Sequence, residues 1–170
     1  TDDGGCPFSV NYTVTEPTAL QITIDSENDI TCFGVANGSI ATTVTGGTGN
    51  YTYTWTLNSA PYTGSTDDIT NLSPGTYVLS VTDVNNCGPA VASFTITEPS
   101  VLAVSLLNQV NVDCFGANTG SITINPTGGT PIQVSPGVFD YTYAWTGPNG
   151  FVSSSQNLSS LYAGTYDLVI

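Results

Sequence analysis

The sequence predicts an all-β protein, a linear array of antiparallel β-sandwiches with no helical stretch. Three observations predict it. Apolar residues alternate with Thr and Ser at period two; Gly-, Asn- and Pro-rich turns separate the alternating runs; and one ordered set of motifs occurs twice.

ITCFGVANGSI at 30–40 recurs as VDCFGANTGSI at 112–122, YTYTW at 51–55 as YTYAW at 141–145, and LSPGTYVLSV at 72–81 as LYAGTYDLVI at 161–170. Before the first copy, TDDGGC and VTEP within residues 1–17 echo TDVNNC at 82–87 and ITEP at 96–99. Three segments follow from this. Residues 1–17 read as the terminal strand of a preceding repeat, 18–99 as a complete repeat, and 100–170 as a second repeat lacking its last strand.

Taken in order, Leu20, Ile22 and Ile24 alternate with Gln21, Thr23 and Asp25, the pattern of a half-buried strand. Tyr51, Tyr53 and Trp55 alternate with Thr52 and Thr54, and Tyr77, Leu79 and Val81 with Val78 and Ser80. Phe94 and Ile96, like Tyr12 and Val14 in the fragment, precede the Glu-Pro that ends each repeat. Thr, Tyr and Val favour strands, so propensity agrees with pattern. TPIQVSPGVFD at 130–140 stands where the first copy has only TGN at 48–50, a length change of the kind found in surface loops. About seven short strands in some 80 residues indicate a sandwich of immunoglobulin-like type. Trp55 and Trp145 are its expected core, with Tyr77 and Tyr166 placed to bond back to a nearby turn.

Charge excludes most functions. The 170 residues hold 13 Asp plus Glu and no Lys, Arg or His, a net charge of −13. Nucleic acids and anionic membranes repel such a chain, and side-chain salt bridges cannot form. The usual general bases, Schiff-base amines and imidazole ligands are absent, so the expectation is no enzyme and no cofactor. No run approaches the roughly 18 apolar residues of a membrane span, while 39% hydrophobic content suffices for a core.

Taken together and in order, Cys-Phe-Gly, Asn/Thr-Gly-Ser-Ile, Gly-Gly-Thr, Tyr-Thr-Tyr-x-Trp, Leu-x-x-Gly-Thr-Tyr, Val-Thr-Asp-x-x-x-Cys and Ile-Thr-Glu-Pro resemble the SprB repeat. That family builds very long surface adhesins of gliding and related Bacteroidetes, exported by type IX secretion. The resemblance implies a secreted, extracellular, cell-surface array acting in adhesion and, in gliding species, motility. Its partners would be neighbouring repeats of the same or identical chains and an unidentified surface or glycan ligand. Two other roles are weighed. The strand Phe8–Thr15 could complete a sandwich in a neighbouring chain, as in donor-strand assembly, or loop aromatics could bind glycans.

Four cysteines without histidine favour disulfides and an oxidising compartment. Autonomous folding of a repeat favours Cys32 with Cys87, leaving Cys6 and Cys114 for partners elsewhere; pairing across junctions would join Cys6 to Cys32 and Cys87 to Cys114. Asp25, Glu27 and Asp29 share one side of an extended segment and are calcium candidates, against a solvated strand edge. Asp2 and Asp83 recur, as do Glu16 and Glu98; a turn-capping role accounts for the first pair, strand termination for the second. Asp67 and Asp68 are adjacent and therefore point apart, which is poor geometry for paired-acid catalysis. Phe139 and Phe151, with Tyr62 and Tyr162, lie in loop-like surroundings and are candidate contact residues.

Overall fold

The structure is a computed structural model and describes residues 3–170. The first repeat contains β1 (Gln21–Asn28), β2 (Gly38–Thr45), β3 (Thr52–Leu57), β4 (Ala60–Tyr62), β5 (Ile69–Leu72), β6 (Gly75–Thr82) and β7 (Ala90–Ile96). They form a three-stranded sheet, β1-β2-β5, and a four-stranded sheet, β4-β3-β6-β7. The second repeat contains β8 (Ala103–Val110), β9 (Gly120–Thr127), β10 (Ile132–Ser135), β11 (Val138–Asp140), β12 (Ala144–Thr146), β13 (Val152–Ser153), β14 (Leu158–Leu161) and β15 (Asp167–Val169). Its sheets are β14-β9-β8 and β13-β12-β15, with β10-β11 as a separate hairpin. The architecture is all-β and immunoglobulin-like. A single 3₁₀ turn, Pro148–Gly150, is the one helical element among the described residues.

Period-two alternation decides what is buried. Along β6, Tyr77, Leu79 and Val81 are fully buried while their neighbours are half-exposed. Trp55 on β3 stands in register with Leu79 on β6 and Tyr62 on β4. Its ring lies 5.7 Å from that of Phe94 on β7, and its Nε1–H donates to the Thr66 carbonyl at 2.9 Å. The second core repeats the plan with Ile124, Tyr143, Trp145, Leu158 and Leu161. Trp145 Nε1–H donates to the Ser155 carbonyl at 2.9 Å. A buried indole needs such an acceptor, and a loop carbonyl supplies it in both copies.

β1 departs from the straight strand that its alternation predicts. The register with β2 shifts between Ile24 and Ser26, so Asp25 is an extra, unpaired residue. A bulge of this kind turns the side chains beyond it to the other face. Ile24 is left exposed in consequence, and the Asp25 carboxylate accepts the Thr43 hydroxyl at 2.7 Å. β8 carries the same irregularity between Leu106 and Asn108.

By spatial compactness the chain divides into two units. One takes the chain up to Asn28 with 39–71 and 75–96; the other takes 29–38, 72–74 and 97–170. Residues 3–20 form no strand and leave Phe8, Val10, Tyr12 and Val14 exposed.

Candidate functional site

The recurring motifs are polar latches at the two ends of β2. At one end lies the Cys-Phe-Gly turn. Val35 N–H donates to the Cys32 carbonyl at 3.3 Å, and Gly34, third in that four-residue turn, has φ +76°. A glycine is required there because only it takes a positive φ without strain. Asn37 closes the loop, receiving Thr31 N–H on its Oδ1 at 3.2 Å and donating Nδ2–H to the Thr31 hydroxyl at 2.7 Å. The second copy builds the same turn: Ala117 N–H donates to the Cys114 carbonyl at 3.1 Å and Asp113 N–H to the Thr119 hydroxyl at 3.0 Å. Glu98, of the Ile-Thr-Glu-Pro motif, accepts Gly34 N–H at 2.9 Å. The two motifs recur together because they bond to each other.

At the other end of β2, Gly46 and Gly47 both have positive φ, and Gly47 N–H donates to the Thr18 carbonyl at 2.7 Å. The Tyr51 hydroxyl donates to the Gly46 carbonyl at 2.7 Å. Asp83 enters this corner from β6. It is 2% exposed and accepts three backbone N–H groups: Thr48 at 3.0 Å, Asn85 at 2.9 Å and Cys87 at 2.8 Å. The bond from Cys87, with those from Thr48 and Asn85, holds its carboxyl below the ordinary carboxylate value against the opposing effect of burial. In a chain without cations, backbone dipoles are what carry this buried charge. The second copy keeps the receiving half of the latch. Gly129 N–H donates to the Ser100 carbonyl at 2.8 Å and the Tyr141 hydroxyl to the Gly128 carbonyl at 2.7 Å.

Two stretches, 25–60 and 106–150, match the SprB repeat. Over these two stretches the chain is similar to the SprB repeat. The SprB repeat is a repeat of cell-surface adhesins. No curated protein matches. Among solved structures, the chain is similar to the three N-terminal domains of the bacteriophage RB49 highly immunogenic outer capsid protein, at 19% identity and a TM-score of 0.48. The match covers 88% of this chain and 53% of that one, so this chain spans about half of its length.

The calcium candidates separate. The bulge isolates Asp25, while Glu27 accepts Thr95 N–H and Asp29 accepts Thr97 N–H, each at 2.7 Å. Those bonds tie β1 to the exposed edge of β7, and the one from Thr97 lowers the Asp29 pKa. No cluster of three acidic or thiol side chains among the described residues is placed to hold a metal. Asp68 accepts Thr42 N–H at 2.9 Å while the Asp67 carbonyl accepts the Thr42 hydroxyl at 2.9 Å, so the adjacent acids hold β2 rather than face each other.

The pairing of Cys32 with Cys87 is corrected. Cys32, Cys87 and Cys114 are exposed and outside any disulfide. β2 separates the two turns: Cys32 precedes Gly38 at its start, and the Asp83–Cys87 corner sits on Gly47 and Thr48 beyond its end. Folding autonomy argued for a staple inside the repeat but carried no information about which end each cysteine occupies.

Phe151 is corrected as well. It is half-buried, its ring 5.2 Å from Tyr166 in an edge-to-face pair, because the Pro148–Gly150 turn folds it inward. Tyr62 packs the same way on Tyr77 at 5.2 Å. Tyr166 donates its hydroxyl to the Tyr162 carbonyl at 3.0 Å and is half-buried. Phe139 is 60% exposed on the β10-β11 hairpin, and Tyr162 is also exposed. Sequence reading missed Phe33 and Phe115, the central residues of the Cys-Phe-Gly turns, which point into solvent. The signal was available: the second position of a turn whose third residue is a positive-φ glycine faces outward.

Proposed function

We propose that the chain is a structural and adhesive segment of a large secreted adhesin, a stalk element of an extracellular filament serving cell adhesion and, in cells that glide, motility. Successive sandwiches with the same tryptophan core and the same glycine corner support a role in which copies act in series. The reading needs no catalyst, metal or cofactor. The alternation of Phe8, Val10, Tyr12 and Val14 with polar residues is that of a terminal strand of a preceding repeat.

The contact itself is assigned to the β10-β11 hairpin, which the first repeat lacks. Ile132, Val134, Val138 and Phe139 are all exposed on it, and exposed apolar clusters mark interaction surfaces. Intact cells labelled with an antibody to this chain should stain along surface filaments, and cells with the repeats deleted should lose attachment to a solid support. Replacing Phe139 by Ala should weaken attachment and leave staining unchanged. Unimpaired attachment by the deletion strain would overturn the reading.

A further inference from the structure

Each end of a repeat presents a cysteine in an open groove. Cys87 lines one of about 510 Å³ with Leu20, Gly47, Asp83 and Pro89. Cys114 lines one of about 640 Å³ with Phe115, Tyr162 and Tyr166. The turn of Cys32 differs in its surroundings. Residues 29–38 belong to the same compact unit as 97–170, and within that unit the Thr130 hydroxyl donates to the carbonyl of Thr31, the residue before Cys32, at 3.3 Å. Phe33 is 55% exposed where Phe115, in the identical turn, is 110% exposed.

Thr130 is the counterpart of Thr48, whose N–H holds Asp83 and through it the N–H of Cys87. The glycine corner that positions these residues has the same geometry in both repeats, with φ of +83° and +63° at Gly46 and Gly47 and +77° and +61° at Gly128 and Gly129. A Thr-Asp-x-x-x-Cys corner seated on Thr130 as Thr82–Cys87 is seated on Thr48 therefore carries its cysteine to the turn of Cys32.

We propose that the disulfides of the array are junctional: the cysteine of each Cys-Phe-Gly turn bonds to the corner cysteine of the repeat that follows. Cys32 and Cys114 act as donors of this link toward the next repeat, Cys87 and Cys6 toward the one before. Two thiols lose two protons and two electrons to form one S–S bond, and the electrons reduce the disulfide of a thiol–disulfide oxidoreductase to its dithiol. The inference rests on the surface location proposed above, where disulfides persist. It changes what the cysteines do. They fix one sandwich to the next and leave each interior to its tryptophan core.

The test is peptide mapping of the adhesin as secreted, alkylated without reduction and cut at acidic residues, since the repeats offer no Lys or Arg to trypsin. The expected result is a Cys-Phe-Gly peptide joined to the Thr-Asp-x-x-x-Cys peptide of the next repeat at most junctions. A Cys-Phe-Gly peptide joined to the corner of its own repeat overturns the proposal, as do alkylated free thiols in surface-exposed protein. Recovery of the protein only from the cell interior overturns the surface reading with it.

Discussion

Asp83 shows how a chain without a single cation keeps a buried charge. Its carboxylate, shielded from water, is matched by three N–H dipoles from two loops. An amide at this position offers one acceptor oxygen and turns an NH₂ toward a backbone donor, so Asp83→Asn should lower the melting temperature markedly. The pH sign follows from a folded-state pKa held below the unfolded value of 3.8. The stabilisation is complete above the unfolded value and is lost as pH falls through the folded one. Melting curves should be flat from neutral pH to about 5, then fall, with a shallower acid fall in the variant; parallel acid limbs would contradict the assignment. Tyr143 gives the opposite sign. Burial, with the bond from its hydroxyl to Asp140 at 2.9 Å, pushes its pKa from 10.0 up to about 12. The neutral phenol favours the fold below the unfolded value, and that contribution disappears as pH rises through the folded one. Absorbance titration should show a late-ionising tyrosine, and Asp140→Asn should advance it. The recurrence of Asp83 was visible in the sequence as a turn-former, but its second role was not, because Thr48 lies on another loop. Asp2, its counterpart in the fragment, lies outside the described residues.

Strands with one wet face were legible because alternation reports burial directly, as in β3 and β6. The bulge in β1 was not. Asp25 keeps the alternation intact in the sequence, and only pairing with β2 shows the extra residue. The lone-repeat core is carried by Trp55, so Trp55→Ala should cost about 3–5 kcal/mol, measured by denaturant unfolding of the first repeat. The corner that receives Asp83 is equally specific. A side chain at Gly46 meets the Ala19 carbonyl at positive φ, and Gly46→Ala should destabilise by more than about 1 kcal/mol. Reductant discriminates the cysteine readings at this scale. With no disulfide inside a repeat, melting of this chain should be the same with and without a thiol reductant; a large drop on reduction would restore the pairing of Cys32 with Cys87.

For the molecule as a whole, 13 acidic charges repel one another with no cation to offset them. Screening shortens their reach to about 3 Å at 1 M salt, so the melting temperature should rise with added sodium chloride. The repeat organisation and the sandwich class were both legible, since motif order and strand count are properties of the chain itself. The placement of motifs at opposite ends of β2 was not, because it depends on which loops the strands bring together. The central proposal is that each repeat unfolds as a sandwich of its own and bears load in series. Pulling the tandem array by its ends in a force microscope tests it most directly. Separate unfolding events are predicted, each releasing roughly 25–30 nm, the contour length of about 80 residues. A single event spanning both repeats, or extension with no force peaks, would contradict it.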